Sequence, residues 1–256
     1  MELGIRGKKV LVTGGGRGLG RSAAECLARE GARVAIVSRT QSDLHSFIKE
    51  HGNEHLGLCF DLMEKTDPKD MVQELKGKFG YPDIIVHNVG GTLGITDPFC
   101  SLEDWQKIYR FNLEIVVELN TLLVPHLQKQ KWGRIVHISS IASLENQGPI
   151  PYCSIKAALT AYTRSFGRLV SADGINVSSV LPGAIFTKGG YWDNASQDRP
   201  DHVQKYLGER MAIKRFGTPE EIGQFVTFLC SDHASFVAGS AFLIDGGQGR
   251  VFQNEL

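Results

Sequence analysis

The sequence predicts a doubly wound α/β fold, a parallel sheet with helices on both faces, formed as a single domain by all 256 residues. Three observations carry the prediction. Short apolar, β-branched runs alternate with longer helix-forming segments along the whole chain, the pattern of repeated strand–helix–strand units. The first unit is joined by a glycine-rich turn, VLVTGGGRGLG, at residues 10–20. With 42% hydrophobic content, a chain of this length can bury one large core.

Val10, Leu11 and Val12 form the first strand. The glycines after it permit positive φ and close backbone approach, and residues 21–28 are good helix formers. The free N–H groups of that helix's first turn therefore point at an anion in the bend, and a dinucleotide pyrophosphate fits there. The fingerprint G-x-G-x-x-G does not thread here, whereas Thr13, Gly14, Gly18 and Gly20 fit T-G-x-x-x-G-x-G. Residues 33–37 are the second strand, entered through Gly31 at the end of the first helix. Near the end of that strand a carboxylate would bind an adenosine ribose 2′-hydroxyl. Ser38 and Arg39 stand there instead. A guanidinium binds a 2′-phosphate in a charge-assisted way, and Arg17 in the turn supplies a second cation, so the pattern favours NADP(H) over NAD(H).

A helix at 44–50 leads to a third strand at 56–60, followed by Asp61 and Leu62. The next helix, 66–79, opens with Asp67 as cap and Pro68 in its first turn. The fourth strand, 83–87, runs into His87-Asn88-Val89-Gly90. Gly90 and Gly91 let the backbone pass close to a cofactor, and the Asn88 amide can bridge neighbouring strand ends. His87, at the end of a buried strand, reads as hydrogen-bonded scaffold rather than base. Residues 102–128 form one long helical stretch, capped through Ser101 and Asp104, with Pro125 as a kink near its end and Asn112 inside it.

The fifth strand, 133–140, delivers Ser139 and Ser140 to the carboxyl edge of the sheet, where ligands of open α/β folds bind. Pro151 opens a helix on which Tyr152 and Lys156 stand at i and i+4, one turn apart on one face. An ammonium close to a phenol stabilises the phenolate, and lowering a tyrosine pKa by about three units takes roughly 4 kcal/mol. The sixth strand, 175–181, ends in Pro182-Gly183, with Thr187 beyond. Residues 188–213 are polar and interrupted, carry Tyr191, Trp192 and Tyr206, and suit a mobile substrate lid hinged at Gly189-Gly190. A last helix follows Thr218-Pro219, and a seventh strand at 242–244 ends in Asp245-Gly246-Gly247.

TGGGRGLG, HNVG, the ISS strand and the Tyr152–Lys156 helix follow one another in the order of the short-chain dehydrogenase/reductase family, which the chain resembles from about residue 8 to 247. HNVG departs from the family's N-N-A-G at two positions. The resemblance implies a Rossmann-type sheet of seven strands in the order 3-2-1-4-5-6-7. It makes Tyr152 the acid/base, Lys156 the group that lowers its pKa, and Asn112 the holder of a water in a proton relay. Family spacing puts the substrate-orienting serine thirteen positions before the tyrosine, at Ser139, whereas alignment on the strand puts it at Ser140. Strand alternation fixes side-chain direction while loops absorb deletions, so Ser140 is preferred.

The resemblance also lines the cofactor with Gly14, Arg17, Gly18, Leu19, Asn88 and Gly90, sets Asp61 and Leu62 beside the adenine, and gives Tyr152 and Lys156 cofactor contacts. Pro182 and Gly183 cover the nicotinamide, and Thr187 meets its carboxamide or the phosphates. The pattern looks most like 3-oxoacyl-carrier-protein reductases and sugar or polyol dehydrogenases, so a small carbonyl/alcohol substrate of either class is expected. Family members commonly pair their long helices across dimer axes, which implies a homotetramer. The alternative is a protein of the same fold that binds nucleotide without turnover, against which the intact Asn112, Ser140, Tyr152 and Lys156 stand.

A formal net charge of zero supplies no field for nucleic acid or an anionic membrane, and no apolar run reaches signal-peptide or membrane-span length, so a cytoplasmic protein is expected. Cys26, Cys59, Cys100, Cys153 and Cys230 lie at wide intervals that match neither a zinc site nor a disulfide framework. They read as reduced thiols, mostly buried, with no metal.

Overall fold

Seven strands, β1 (Lys9–Thr13), β2 (Arg33–Ser38), β3 (Leu56–Cys59), β4 (Ile84–His87), β5 (Gly133–Ile138), β6 (Ile175–Pro182) and β7 (Ser240–Ile244), pair in parallel. Their order is β3-β2-β1-β4-β5-β6-β7, as the resemblance implies. The computed structural model describes residues 2–250; Met1 and residues 251–256, the ends of the expected domain, lie outside the described residues. Nine α-helices are described: α1 (Gly18–Arg29), α2 (Gln41–His51), α3 (Asp67–Lys78), α4 (Leu102–Tyr109), α5 (Ile115–Gln130), α6 (Ile150–Val170), α7 (Tyr191–Asp198), α8 (Pro200–Arg210) and α9 (Pro219–Leu229).

Strand alternation sorts the core into two layers. Val10, Val12, Ile84 and Val86 point to one face and pack with Leu27 of α1, Phe47 of α2 and Ile222 and Val226 of α9. Leu11, Ile85 and Ile135 point to the other and pack with Met71 of α3 and Leu119 and Leu123 of α5. Burying each such side chain contributes about 1.5–3 kcal/mol, so both faces of the sheet are strongly anchored. That anchoring fixes the carboxyl ends of β1, β4 and β5, where the functional residues gather.

Several local expectations need correction. The expected single helix over 102–128 is α4 and α5 with a π-helical turn, Arg110–Glu114, between them. Strand β5 stops at Ile138, and Ser140 caps a short 3-10 turn instead of continuing the strand. Thr66, not Asp67, precedes α3, and the Asp67 carboxylate accepts from the Asp61 N–H at 2.9 Å. The polar, interrupted segment 188–213 is mostly the helices α7 and α8. All five cysteines are free, but only Cys26 and Cys230 are buried, because Cys59, Cys100 and Cys153 lie on or near loops at the rim. The Ser101 cap and a Thr218–Glu221 capping box are present. No helix of the described residues is long and apolar enough to cross a membrane.

Candidate active site

The glycine turn is fastened to the neighbouring strand end by two polar side chains. Thr13 Oγ1 accepts from the N–H groups of Asn88 (3.0 Å) and Val89 (3.3 Å), and Asn88 Nδ2 donates to the Gly14 carbonyl at 3.1 Å. Asn88 thus bridges strand ends as its amide predicts. A Cβ at Gly20 would run into the Gly14 carbonyl and Asn88 Nδ2, so α1 can lie this close to the turn only with glycine there. The first turn of α1 has no side-chain cap and no acidic residue. Its N–H groups and the positive end of the helix dipole are left for an anion.

Three adjoining cavities run along the carboxyl edge of the sheet. The first, about 320 Å³, is lined by Gly14, Arg17, Ser38, Arg39, Asp61, Leu62, Asn88 and Gly90, all singled out from the sequence. Thr40, Phe60, Met63 and Phe111 also line it and were not foreseen; they follow or face the expected positions without a pattern of their own. The second, about 370 Å³, brings together Gly18, Leu19, Ser139, Ser140, Tyr152, Lys156, Pro182, Gly183 and Thr187. The third, about 790 Å³, lies under α7 and α8 and shares Ser140, Tyr152, Gly183 and Trp192 with the second. An open helix N-terminus, glycine-only backbone approach and cations at the far end together fit an anionic dinucleotide.

Both cations already have surface partners. Arg17 Nη2 lies 3.2 Å from Asp43 and 3.1 Å from Thr40 Oγ1, and Arg39 Nη1 lies 3.6 Å from Asp61. Exposed pairs of this kind contribute about 0–1 kcal/mol, so a phosphate can displace either carboxylate.

Where the cavities meet, α6 presents Tyr152 and Lys156. Lys156 is buried, donates from Nζ to the Ile138 carbonyl at 2.9 Å, and sits 5.7 Å from the centre of the Tyr152 ring. Burial alone brings its pKa down to about 7. Burial also pushes the Tyr152 phenol up, opposed by a hydrogen bond with the Ser140 hydroxyl. The expected lowering of the phenol by Lys156 does not operate here: desolvation raises the phenol, only the Ser140 hydrogen bond opposes it, and desolvation also disfavours the Lys156 ammonium itself. Negative charge next to Lys156 would favour its charged form and reverse that balance.

The two serines separate clearly. Ser139 is turned into α6, with Oγ 2.9 Å from Thr160 Oγ1 and donating to the Lys156 carbonyl at 3.2 Å. Ser140 Oγ accepts from the Ala142 N–H at 3.1 Å and lines the large cavity beside Tyr152.

Asn112 lies behind this group, fully buried, in the π-helical turn. Its Nδ2 takes the Ile108 carbonyl at 3.0 Å, the acceptor its own N–H would use in an α-helix, which gives the break a local cause. The same amide exchanges bonds of 2.9 Å each with the N–H and carbonyl of Gly91. A Cβ at Gly90 would sit 2.7 Å from Asn112 Oδ1 and 2.9 Å from Lys156 Nζ, so glycine there lets these two groups approach.

His87 is scaffold, with a partner the sequence did not reveal. Its Nε2 meets Asn120 Oδ1 at 2.9 Å, and Asn120 Nδ2 donates to the Tyr162 hydroxyl at 3.2 Å. Burial brings the His87 pKa down to about 4, leaving the ring neutral.

The segment expected as a lid, residues 188–213, is held by aromatic packing. Trp192 lies with ring centroids 4.3 Å from Tyr206, 4.6 Å from Phe216 and 4.9 Å from Tyr191, and it walls both inner cavities. Gln248 ties α8 to the Pro182–Gly183 turn, donating to the Tyr206 hydroxyl at 2.7 Å and accepting from the Ala184 N–H at 2.6 Å. Gln248, Asn146, Gln147, His202 and Arg210 line the large cavity from loops and α8, where no periodic pattern marks them in the sequence.

Residues 14–248 match a family model described as enoyl-(acyl carrier protein) reductase. The 3-oxoacyl-[acyl-carrier-protein] reductase of Aquifex aeolicus is 32% identical over 252 residues, covering 96% of this chain and 99% of the relative. An L-sorbose reductase from Gluconobacter frateurii, solved with NADPH and L-sorbose, superposes with a TM-score of 0.91 at 30% identity and covers 99% of this chain and 100% of its own. A 3-oxoacyl (acyl-carrier-protein) reductase from Agrobacterium tumefaciens, solved with NADP bound, gives 0.87 at 29% identity over 96% and 95%. Matched over nearly its whole length in sequence and in sheet order, this chain belongs to the short-chain dehydrogenase/reductase family of oxidoreductases.

Proposed function

We propose that the protein is an NADP(H)-dependent oxidoreductase that interconverts a ketone and a secondary alcohol on a small, polar, sugar-like substrate. The observation that carries this reading is the meeting of Ser140, Tyr152 and Lys156 where the nucleotide cleft opens into the lid cavity. The open N-terminus of α1 holds the pyrophosphate, with Gly14, Gly18, Leu19, Asn88 and Gly90 along it. Arg17, Ser38 and Arg39 hold the 2′-phosphate, Asp61 and Leu62 flank the adenine, and Pro182, Gly183 and Thr187 hold the nicotinamide end. When bound, the nicotinamide supplies or takes the hydride.

In reduction, Tyr152 gives its proton to the carbonyl oxygen while the Ser140 hydroxyl hydrogen-bonds that oxygen and orients it. Lys156 becomes an ammonium beside the anionic nucleotide and stabilises the phenolate that remains. Asn112, fixed on Gly91 and next to Lys156 across Gly90, positions the water that returns a proton to the pair.

The cavity wall favours a polyhydroxylated substrate: Asn146, His202 and the Gln147 amide oxygen line it with polar atoms, and Trp192 and Tyr206 supply flat apolar faces. The likeness to L-sorbose reductase supports it. A second reading, a 3-oxoacyl thioester, is favoured by the Aquifex relative. NADPH oxidation followed with ketoses and with 3-oxoacyl thioesters tests both. Turnover of ketoses is expected, a preference for thioesters selects the second reading, and no consumption with any carbonyl compound leaves a nucleotide-binding protein without turnover.

We further propose a cytoplasmic homotetramer. Phe99 and Leu102 at the start of α4, Leu169 on α6 and Phe236 before β7 are among the most exposed large apolar side chains, and two dimer axes would cover them.

A further inference from the structure

The large cavity under α7 and α8 contains a cation with no counter-charge among the described residues. Arg210, the last residue of α8, lines it together with Ser140 and Tyr152. Its Nε is buried without a hydrogen-bond partner, and among the described residues its guanidinium has no ion pair or hydrogen bond. Arg110 Nε is likewise unpartnered, but the other inward guanidiniums are held elsewhere by carboxylates and carbonyls. Arg110 is held by Glu118 at 2.6 Å and by the Leu62 carbonyl at 2.9 Å, and Arg134 by the Ser231 carbonyl at 3.1 Å and Asp232 at 3.3 Å.

A cation is favoured at a helix C-terminus, which explains why α8 tolerates Arg210. That role would direct its donors to the last carbonyls of the helix, and it makes no such bond. Among the described residues, no aspartate or glutamate lines the cavity. Glu145, in the loop alongside, is engaged by Gln147 Nε2 at 3.0 Å and by the Arg250 N–H. Arg210 does act on its surroundings: burial raises the Tyr206 phenol, and the Arg210 charge opposes that rise.

We infer that Arg210 is a carboxylate-binding subsite and that the substrate is a sugar-type keto or hydroxy acid, its carbonyl or alcohol at Tyr152 and its carboxylate at Arg210. This rests on the oxidoreductase reading above and names its substrate class. A guanidinium is always charged and presents a planar fork of donors that matches a carboxylate in bidentate fashion. One cation matches one negative charge. A phosphate dianion would need a second, and Arg210 is the one lysine or arginine among the described residues lining this cavity. The reaction balances: hydride from NADPH reaches the ketone carbon, the Tyr152 proton reaches its oxygen, and a hydroxy acid and NADP⁺ result.

The test compares 2-keto- and 5-keto-D-gluconate with D-fructose, L-sorbose and fructose 6-phosphate, using wild type, Arg210→Met and Arg210→Lys. The ratio of kcat/KM for keto acid over neutral ketose should exceed one in wild type and fall about 10- to 150-fold in Arg210→Met, the worth of a hydrogen-bonded charge, with partial recovery in Arg210→Lys. A ratio unchanged by Arg210→Met, or a preference for neutral or phosphorylated ketose in wild type, overturns the subsite while leaving the oxidoreductase reading intact. If no carbonyl compound is reduced, that reading fails, and calorimetry of D-gluconate with the wild-type–NADP⁺ complex decides the subsite alone. Binding weakened by Arg210→Met supports it, and absence of binding overturns it.

Discussion

Arg39→Ala should lower kcat/KM for NADPH by about 5- to 30-fold and leave NADH within about twofold. A hydrogen bond between a guanidinium and a phosphate contributes about 1.5–3 kcal/mol. Against it stands the Arg39–Asp61 pair, 3.6 Å long with side chains 67% and 38% exposed, which must be given up. Such an exposed pair is worth at most about 1 kcal/mol, so about 1–2 kcal/mol remains, and each 1.36 kcal/mol is roughly tenfold in rate. The 2′-hydroxyl of NADH carries no charge for Arg39 to meet, so its rate is insensitive. Added salt should erode the wild-type preference as well, because the Debye length falls from about 10 Å at 0.1 M to about 3 Å at 1 M. Initial rates of absorbance loss at 340 nm with both nucleotides provide the assay. Equal losses with NADPH and NADH, or no loss with either, would refute the assignment of Arg39 to the 2′-phosphate.

Ser140→Ala should lower kcat by about 10²-fold or more, as loss of a donor to the reacting oxygen does, while Ser139→Ala acts mainly on stability through its bond to Thr160; the reverse ranking in steady-state kinetics would move the role to Ser139. His87, neutral with a pKa of about 4 in the fold against 6.5 unfolded, makes the unfolded chain bind more protons between those values. Stability from this group is therefore complete above pH 6.5 and falls by about 3 kcal/mol toward pH 4. His87→Asn should flatten the decline of Tm between pH 7 and 5, and an identical slope would contradict the account. Sedimentation at micromolar concentration should give a tetramer; monomer alone would refute the assembly.

What could be read from the sequence was local. The T-G-x-x-x-G-x-G turn was legible because Gly14 and Gly18, with φ of +65° and +57°, and the crowded Gly20 impose their requirements within one strand–turn–helix unit. Tyr152 and Lys156 were legible because one helical turn separates them. The break at Asn112 depends on Gly91, in a loop distant in sequence, and periodicity alone continued the helix through it. Gln248 acts on Tyr206 and Ala184 from the far end of the chain, and Arg210 stands out only by what it lacks, a hydrogen-bond or ion-pair partner among the described residues. Ser140 was reached by strand register, although β5 ends two residues earlier and the serine is oriented by a cap.

Transfer of deuteride from 4-deuterated NADPH to a ketone substrate, with wild type and Tyr152→Phe side by side, tests the central claim most directly. Deuterium is expected on the carbinol carbon of the wild-type product. Transfer should fall by about 10²–10⁴-fold in the variant, with NADPH affinity retained because the ring still packs and only the transferable proton is gone. Undiminished transfer by Tyr152→Phe, or alcohol formed by wild type without deuterium, would contradict that claim.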